Sequence, residues 1–388
     1  LFTIVLKARA GGLDFSQTAT LHYARAYFNA TLLGDIFTRM GLPPDSLEFL
    51  TRGAKFQKPP LLTTLRNLPG LVRLWRQENR LPQQFALENR LEFAPALIEW
   101  KEQPVTALSE AEIAQRIKKI LTLLERATYF NILAPLSLAL RQALLKVDLT
   151  ELDGSQNPEV RALEELKQIA VQLRTSFGDT LLSRLSQLGL KSPVEPGAEQ
   201  TEPFNTSASL FAAIAEHPEG HLLFDRLDQF LDTYGYLSEV ATDIAAPTWR
   251  ESPQPVRELL AQFMLNPETS VPAQASTQSS TQSPSQSPSQ SPSPSQSQRL
   301  DTPAKKSSWK IRQVQARLDL KGQVAEVYDR LLAALRSCFV ELESRWLSAD
   351  KLEAQGDLFF LTWLEIQNQL KQPQPISELR LKIHTEKA

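Results

Sequence analysis

The sequence predicts a mainly α protein: a multi-helix domain with one or two short strands, interrupted by a disordered Ser/Gln/Pro-rich insertion. Three observations carry that expectation. Ser109 and Glu112 form a capping-box pattern, and behind them Ile113, Ile117, Ile120, Leu121 and Leu124 recur on one helical face. A second stripe, Val324, Val327, Leu331, Leu335, Leu342 and Trp346, has the same period with charges opposite it. Between the two, from Thr269 to Gln298, the chain has no charged residue and runs through repeats such as SPSQSPSQSPSP. Such a tract buries too little apolar surface to offset its chain entropy and is expected to be disordered.

The elements follow in order. LFTIVLKARAGG is too short an apolar run to span a membrane and lacks the layout of a signal peptide, and with Leu1 in first place the chain is expected to be a piece of something longer. LHYARAYFN alternates and predicts a short strand, followed by a helix through Leu32, Ile36 and Phe37 that stops before Gly41 and Pro43. Tyr129 to Lys146 is apolar nearly all round and should lie between other helices, with Pro135 kinking or interrupting it. Asn157-Pro158 opens the next helix, through Leu163, Leu166, Leu173 and Phe177, which Gly178 is expected to end or bend. Near the end, Gly356-Asp357 turns the chain, LFFL reads as a short buried strand, and Thr362 with Glu365 caps a helix. The domain organisation is therefore a first part over 1–266, a linker over 267–308 and a completion of the same domain over 309–388.

Composition excludes several function classes. The 388 residues, 42% of them hydrophobic, can build a core, and a net charge of −2 with scattered Lys and Arg offers no electrostatic pull on nucleic acid. The protein is expected to be cytoplasmic, with no nucleic-acid and no membrane partner. One cysteine, Cys338, rules out an intrachain disulfide and reads as a buried small hydrophobe. His217 and His221 stand four apart, but Pro218 and Gly220 lie between them and no nearby acid completes a ligand set, so no metal site is expected.

The most unusual stretch is FLDTYGYLSEVATDIAAPTWRESP, from Phe230 to Pro253. Tyr234, Tyr236, Trp249 and Arg250 each combine an apolar face with a polar tip, which suits a ligand-facing wall and equally a half-wet core edge. Glu239 and Asp243 read as caps or solvated carboxylates, and no histidine or second acid stands where a proton-transfer pair would need it. No catalytic residue is assigned on this pattern.

Tyr234 and Gly235, then Asp243, Ile244, Ala245, Pro247, Trp249, Glu251 and Pro253 resemble the central-region signature of rifampin phosphotransferase and related phosphoenolpyruvate-synthase-like proteins. Arg25, Tyr27 and Asn29 look like the beginning of that region, and Gly356, Asp357, Phe359, Leu361, Thr362 and Glu365 look like its end. The chain departs from the signature where His-Arg is replaced by Tyr236-Leu237 and a Glu by Ala241. The resemblance implies the central, acceptor-presenting domain of an ATP-dependent phosphotransferase. Its phosphate would pass through a phosphohistidine carried outside this segment, with ATP and Mg2+ used by the parent enzyme and no cofactor held here. It implies flanking ATP-binding and phosphohistidine domains as partners and a small-molecule acceptor contacting Tyr234, Tyr236, Glu239, Asp243, Trp249 and Arg250. A non-catalytic helical binding or interaction module derived from the same family is the alternative that the changed His-Arg pair leaves open.

Overall fold

The computed structural model describes residues 14, 19–22, 25–29, 31–32, 34–35, 61–187, 208, 211–212, 214–215, 220–240, 242–265, 309–372 and 375–387. The insertion over 267–308 and the end of the helix expected before Gly41 lie outside them. The chain forms two compact units, residues 1–87 with 384–388, and residues 88–383.

In the first unit, β1 (Ala19–His22) and β2 (Arg25–Phe28) form an antiparallel pair in which Ala19 faces Phe28 and Thr20 faces Tyr27. The stretch expected to be one strand is thus a hairpin. Asn29 accepts the Leu32 amide at 3.0 Å, which makes it a helix cap. Helix α1 (Leu61–Glu88) follows.

The second unit is helical. After a π-helical turn (Asn89–Phe93) come α2 (Ala94–Glu102), α3 (Glu110–Leu145), α4 (Pro158–Gln187), α5 (Gly220–Tyr234), α6 (Gln254–Leu265), α7 (Trp309–Ser348) and α8 (Trp363–Lys371), and α9 (Ile376–Lys387) closes the chain. The N-terminal signals act as expected. Ser109 and Glu112 form a complete capping box on α3, and Asn157 accepts the Glu159 amide at 2.9 Å in front of Pro158. Packing is dominated by α7 lying along α3, each turning its apolar stripe to the other; Ile113, Ile117, Ile120, Leu331, Leu335, Leu342 and Trp346 are all buried. Cys338 is fully buried in α7, where burial pushes its thiol up to about 11, so it packs and does not react. A further core joins α4, α5 and α6 through Leu166, Ala170, Leu227, Phe230, Val256 and Leu260.

Two local expectations are corrected and two are narrowed. Pro135 does not interrupt α3, because the contact with α7 along α3 offsets the hydrogen bond that proline removes. The Tyr129–Lys146 run does not lie enclosed between helices: α7 covers one side, while Ile132, Leu136 and Leu144 are exposed. Gly178 neither ends α4 nor sets its limit, which is Gln187. LFFL is not a strand. Residues Asp357–Phe360 form a 3-10 turn, since Glu343 accepts the amides of Gly356 (2.8 Å) and Leu358 (3.1 Å), and Asp357 those of Glu353 (3.1 Å) and Ala354 (2.9 Å). With the Leu358 amide bound to Glu343 and the Phe359 and Leu361 amides to the Gly356 and Leu358 carbonyls, the segment has no ladder to join.

One close approach sets the spacing of α7 and α4. A Cβ on Gly322 would lie 2.4 Å from the Gln156 carbonyl oxygen, at the start of α4. Gly322→Ala is expected to lower the unfolding free energy by roughly 1–3 kcal/mol, because backbone cannot yield as a side-chain tip can. A urea midpoint unchanged by the substitution would show that the start of α4 shifts freely.

Candidate functional site

The site is built where α5 runs out. At Gly235 the chain folds back so tightly that a Cβ would sit 2.2 Å from the Leu231 carbonyl oxygen and 2.9 Å from the Arg250 Cβ. Only glycine fits there. The returning strand closes the neck of a loop: the Trp249 amide donates to Leu237 at 2.7 Å, the Arg250 amide to Gly235 at 3.0 Å, and Ser238 and Thr248 form an isolated bridge. Within the loop Asp243 accepts the Ala245 amide at 2.8 Å, the self-capping turn that short acidic side chains favour. Thr248 accepts the Glu251 amide, and α6 begins at Gln254.

A residue beyond the insertion fastens this loop. Arg336 of α7 grips both oxygens of Glu251 at 2.6–2.9 Å and donates to the Ile244 carbonyl at 2.7 Å, with its guanidinium 5.4 Å from the Phe359 ring centroid. Ile244 and Glu251 of the central signature and Phe359 of the final one are thereby joined at one buried arginine. A planar five-donor fork can serve a carboxylate and a carbonyl at once, and a lysine cannot.

The six proposed contact residues separate into four environments. Trp249 stacks on Phe230 at 6.4 Å and 20°, Phe230 lies 5.1 Å from Tyr234, and the Trp249 Nε1 is buried without a partner, so this indole is framework. Glu239 and Asp243 are exposed, as is Arg250, which pairs with the exposed Asp232. Tyr234 is buried; its hydroxyl bonds Glu165, and burial with that bond pushes its pKa up. It borders a polar groove of about 290 Å³ between α4 and α5, lined also by Arg161, Gln168, Gln172, Arg226 and Gln229. Tyr236 points the other way. Its ring carries the Arg330 guanidinium at 4.2 Å, and its hydroxyl, pushed up by burial, has no partner. It borders a cavity of about 20 Å³ that also touches Ser238, Asp243, Asp329, Arg336 and Glu159. That is room for about one water molecule.

Arg25 and Tyr27 lie on β2 and Asn29 follows it, in the other unit. The charged group beneath Tyr236 is the part that sequence reading missed. Glu326 is held by Arg161 and by Arg330 at 3.0 Å. Burial pushes Glu159 up against the pull of Lys321, and pushes Lys321 down against Glu159. Burial, reinforced by Glu159 and Glu326, pushes Asp329 up to about 8. A signal was present: Glu326, Asp329, Arg330 and Arg336 form a polar stripe at spacings of 3, 4 and 7 beside the apolar face of α7. A stripe so placed faces a neighbour as readily as solvent. His221 lies on α5, whereas His217 and Pro218 are outside the described residues, among which no group of three or more His, Cys, Asp or Glu side chains could hold a metal ion. No described helix is long and apolar enough to cross a membrane.

Residues 156–342 match the family described as the rifampicin phosphotransferase fourth domain. The match takes in the whole corner, the start of α4 and the stripe of α7; the stretches around Arg25 and Gly356 lie outside it. Chondramide synthase cmdD of Chondromyces crocatus is 29% identical over 147 residues, 38% of this chain and 4% of that protein. The chain thus spans a small fraction of that relative's length. No solved structure matches.

Proposed function

We propose that this chain contains the acceptor-presenting central domain of an ATP-dependent phosphotransferase, in which phosphate travels on a phosphohistidine outside this segment. The observation that carries the reading is the rifampicin phosphotransferase fourth-domain match over residues 156–342, which contains the corner between Tyr234 and Arg250. The surfaces open to an acceptor there are the groove beside Tyr234 and, separately, the exposed side chains of Glu239, Asp243 and Arg250. The role of this segment is to bind and orient; Tyr236 and Trp249 shape the wall from behind. In this reading ATP and Mg2+ would be bound by a flanking ATP-binding domain.

A second reading has an observation of its own. The signature's Glu251 and Ile244 are occupied by Arg336, and Asp243 by a loop amide, so the motif is explained as architecture without any ligand. Together with a relative in which the similar stretch is 4% of a synthase, this favours a non-catalytic helical module within a larger protein. The two readings separate on the reading frame either side of Leu1 and Ala388: an ATP-binding segment and a phosphohistidine segment there support the transferase, and their absence supports the module.

The transferase reading makes a biochemical prediction. Incubated with radiolabelled ATP and Mg2+, this chain is expected to hydrolyse no nucleotide and to gain no acid-labile phosphate. Label on His22, His217, His221 or His384 would overturn the assignment of the phosphohistidine to another segment.

A further inference from the structure

Helices α4 and α5 pack through Leu166, Ala170, Leu227 and Phe230, and beside that seam lies the groove of about 290 Å³ that Tyr234 borders. Its walls are two polar stripes. Glu164, Gln168 and Gln172 follow one another at four-residue spacing along α4, and Arg226 and Gln229 stand three apart on α5. At other helix seams the facing polar groups bond each other, as Lys119 does with Glu99, Arg161 with Glu326 and Arg141 with Gln313. Here they do not. Among the described residues, the side chains of Glu164, Gln168, Gln172, Arg226 and Gln229 are exposed and make no hydrogen bond or ion pair. The other two charged groups of the groove are already engaged, Arg161 by Glu326 and Glu165 by the Tyr234 hydroxyl.

We infer that this groove takes a small, neutral, polyhydroxylated molecule, a sugar or a cyclitol, held by the three glutamine amides. Each such amide both donates and accepts, and so does each hydroxyl, so the two kinds of group pair in either sense. An apolar ligand would strip water from three amides and return no hydrogen bond, which is costly. Net charge is disfavoured for a separate reason: the two charges left uncommitted, Arg226 and Glu164, are of opposite sign, so either kind of ion gains from one and is repelled by the other. Size points the same way. The volume is at the lower end of the roughly 300–1,000 Å³ of pockets for drug-sized ligands, and Ile169 is the one aliphatic residue among those lining it. The inference rests on the acceptor reading given above and gives that acceptor a chemical class, one whose hydroxyls are what a phosphoryl acceptor has to present.

The test is saturation-transfer NMR on the whole chain with four probes: D-glucose, myo-inositol, gluconate and indole. Transfer to the ring protons of glucose or myo-inositol is expected, with gluconate and indole weaker. Gln172→Leu combined with Gln229→Leu removes two of the amides at exposed positions that bond nothing, so the melting temperature is expected to hold while polyol binding falls about tenfold or more. Should that protein fail to fold, Gln172→Ala with Gln229→Ala makes the same deletion with smaller side chains. Transfer to neither polyol, transfer undiminished in the double variant, or tighter binding of gluconate or indole than of the polyols would each overturn the assignment. The measurement uses no ATP and no phosphate donor, so a negative result removes the ligand class and leaves the transferase reading to the flanking reading frame. A frame lacking those segments removes the transferase reading and leaves a measured polyol site standing.

Discussion

Arg336→Ala is expected to lower the unfolding free energy by up to roughly 3–5 kcal/mol, the range for breaking a buried pair, with the 32% exposed Glu251 side chain placing it toward the lower end. The side chain is 9% exposed, and its removal strands two acceptors, the Glu251 carboxylate and the Ile244 carbonyl. The fork geometry decides what can rescue it. Arg336→Lys keeps the charge but cannot hold two carboxylate oxygens and a carbonyl in one plane, so it is expected to recover only a minor part. Pairing Arg336→Leu with Glu251→Leu removes both charges together and is expected to cost less than Arg336→Ala alone. Guanidinium-chloride unfolding of the parent and the three variants reads the result. Equal midpoints for the parent and Arg336→Ala would show that the tie between α7 and the loop is a surface contact of little weight.

Trp346→Ala is the second large effect, again roughly 3–5 kcal/mol, as for other large aromatic truncations in a core. Trp346 is 0% exposed at the end of α7, and its carbonyl accepts the Lys351 amide at 2.8 Å as the chain leaves the helix. One turn earlier Glu343 holds Gly356 and Leu358, so a cavity here loosens both the last turn and the segment it anchors. Trp346→Phe is expected to lose much less. It keeps a ring, and the Nε1 that it deletes has no partner to abandon. A calorimetric melting temperature for Trp346→Ala within a degree or two of the parent's would mean that this helix end relaxes around the void.

The family resemblance and the structural roles of its residues are different kinds of information. Tyr234-Gly235 and Trp249 stand out in the sequence, and the structure gives two of them a physical role. Gly235 admits the Arg250 Cβ, and Trp249 stacks on Phe230. As aromatic walls, Tyr234 and Tyr236 are interchangeable on pattern alone. In the fold they are not, because a chain that turns at Gly235 sends one ring toward the α4–α5 groove and the other toward α7.

By itself the sequence determined the helical class, the start of α3 at Ser109, of α4 at Asn157-Pro158 and of α8 at Thr362, and the inward face of α7. Those properties follow from local capping bonds and from the 3.6-residue period, which act over one or two turns and need no partner to be legible. Only the tertiary structure decided that LFFL forms a 3-10 turn, that α3 passes through Pro135 and α4 through Gly178, and that Asp329 lies enclosed while Arg336 binds Glu251. Most of these depend on groups far apart along the chain, Glu343 with Leu358, α3 with α7, Arg336 with Glu251 across the insertion. A carboxylate's surroundings, and so its proton, are set by which helices meet around it, and that meeting is written in no single stretch.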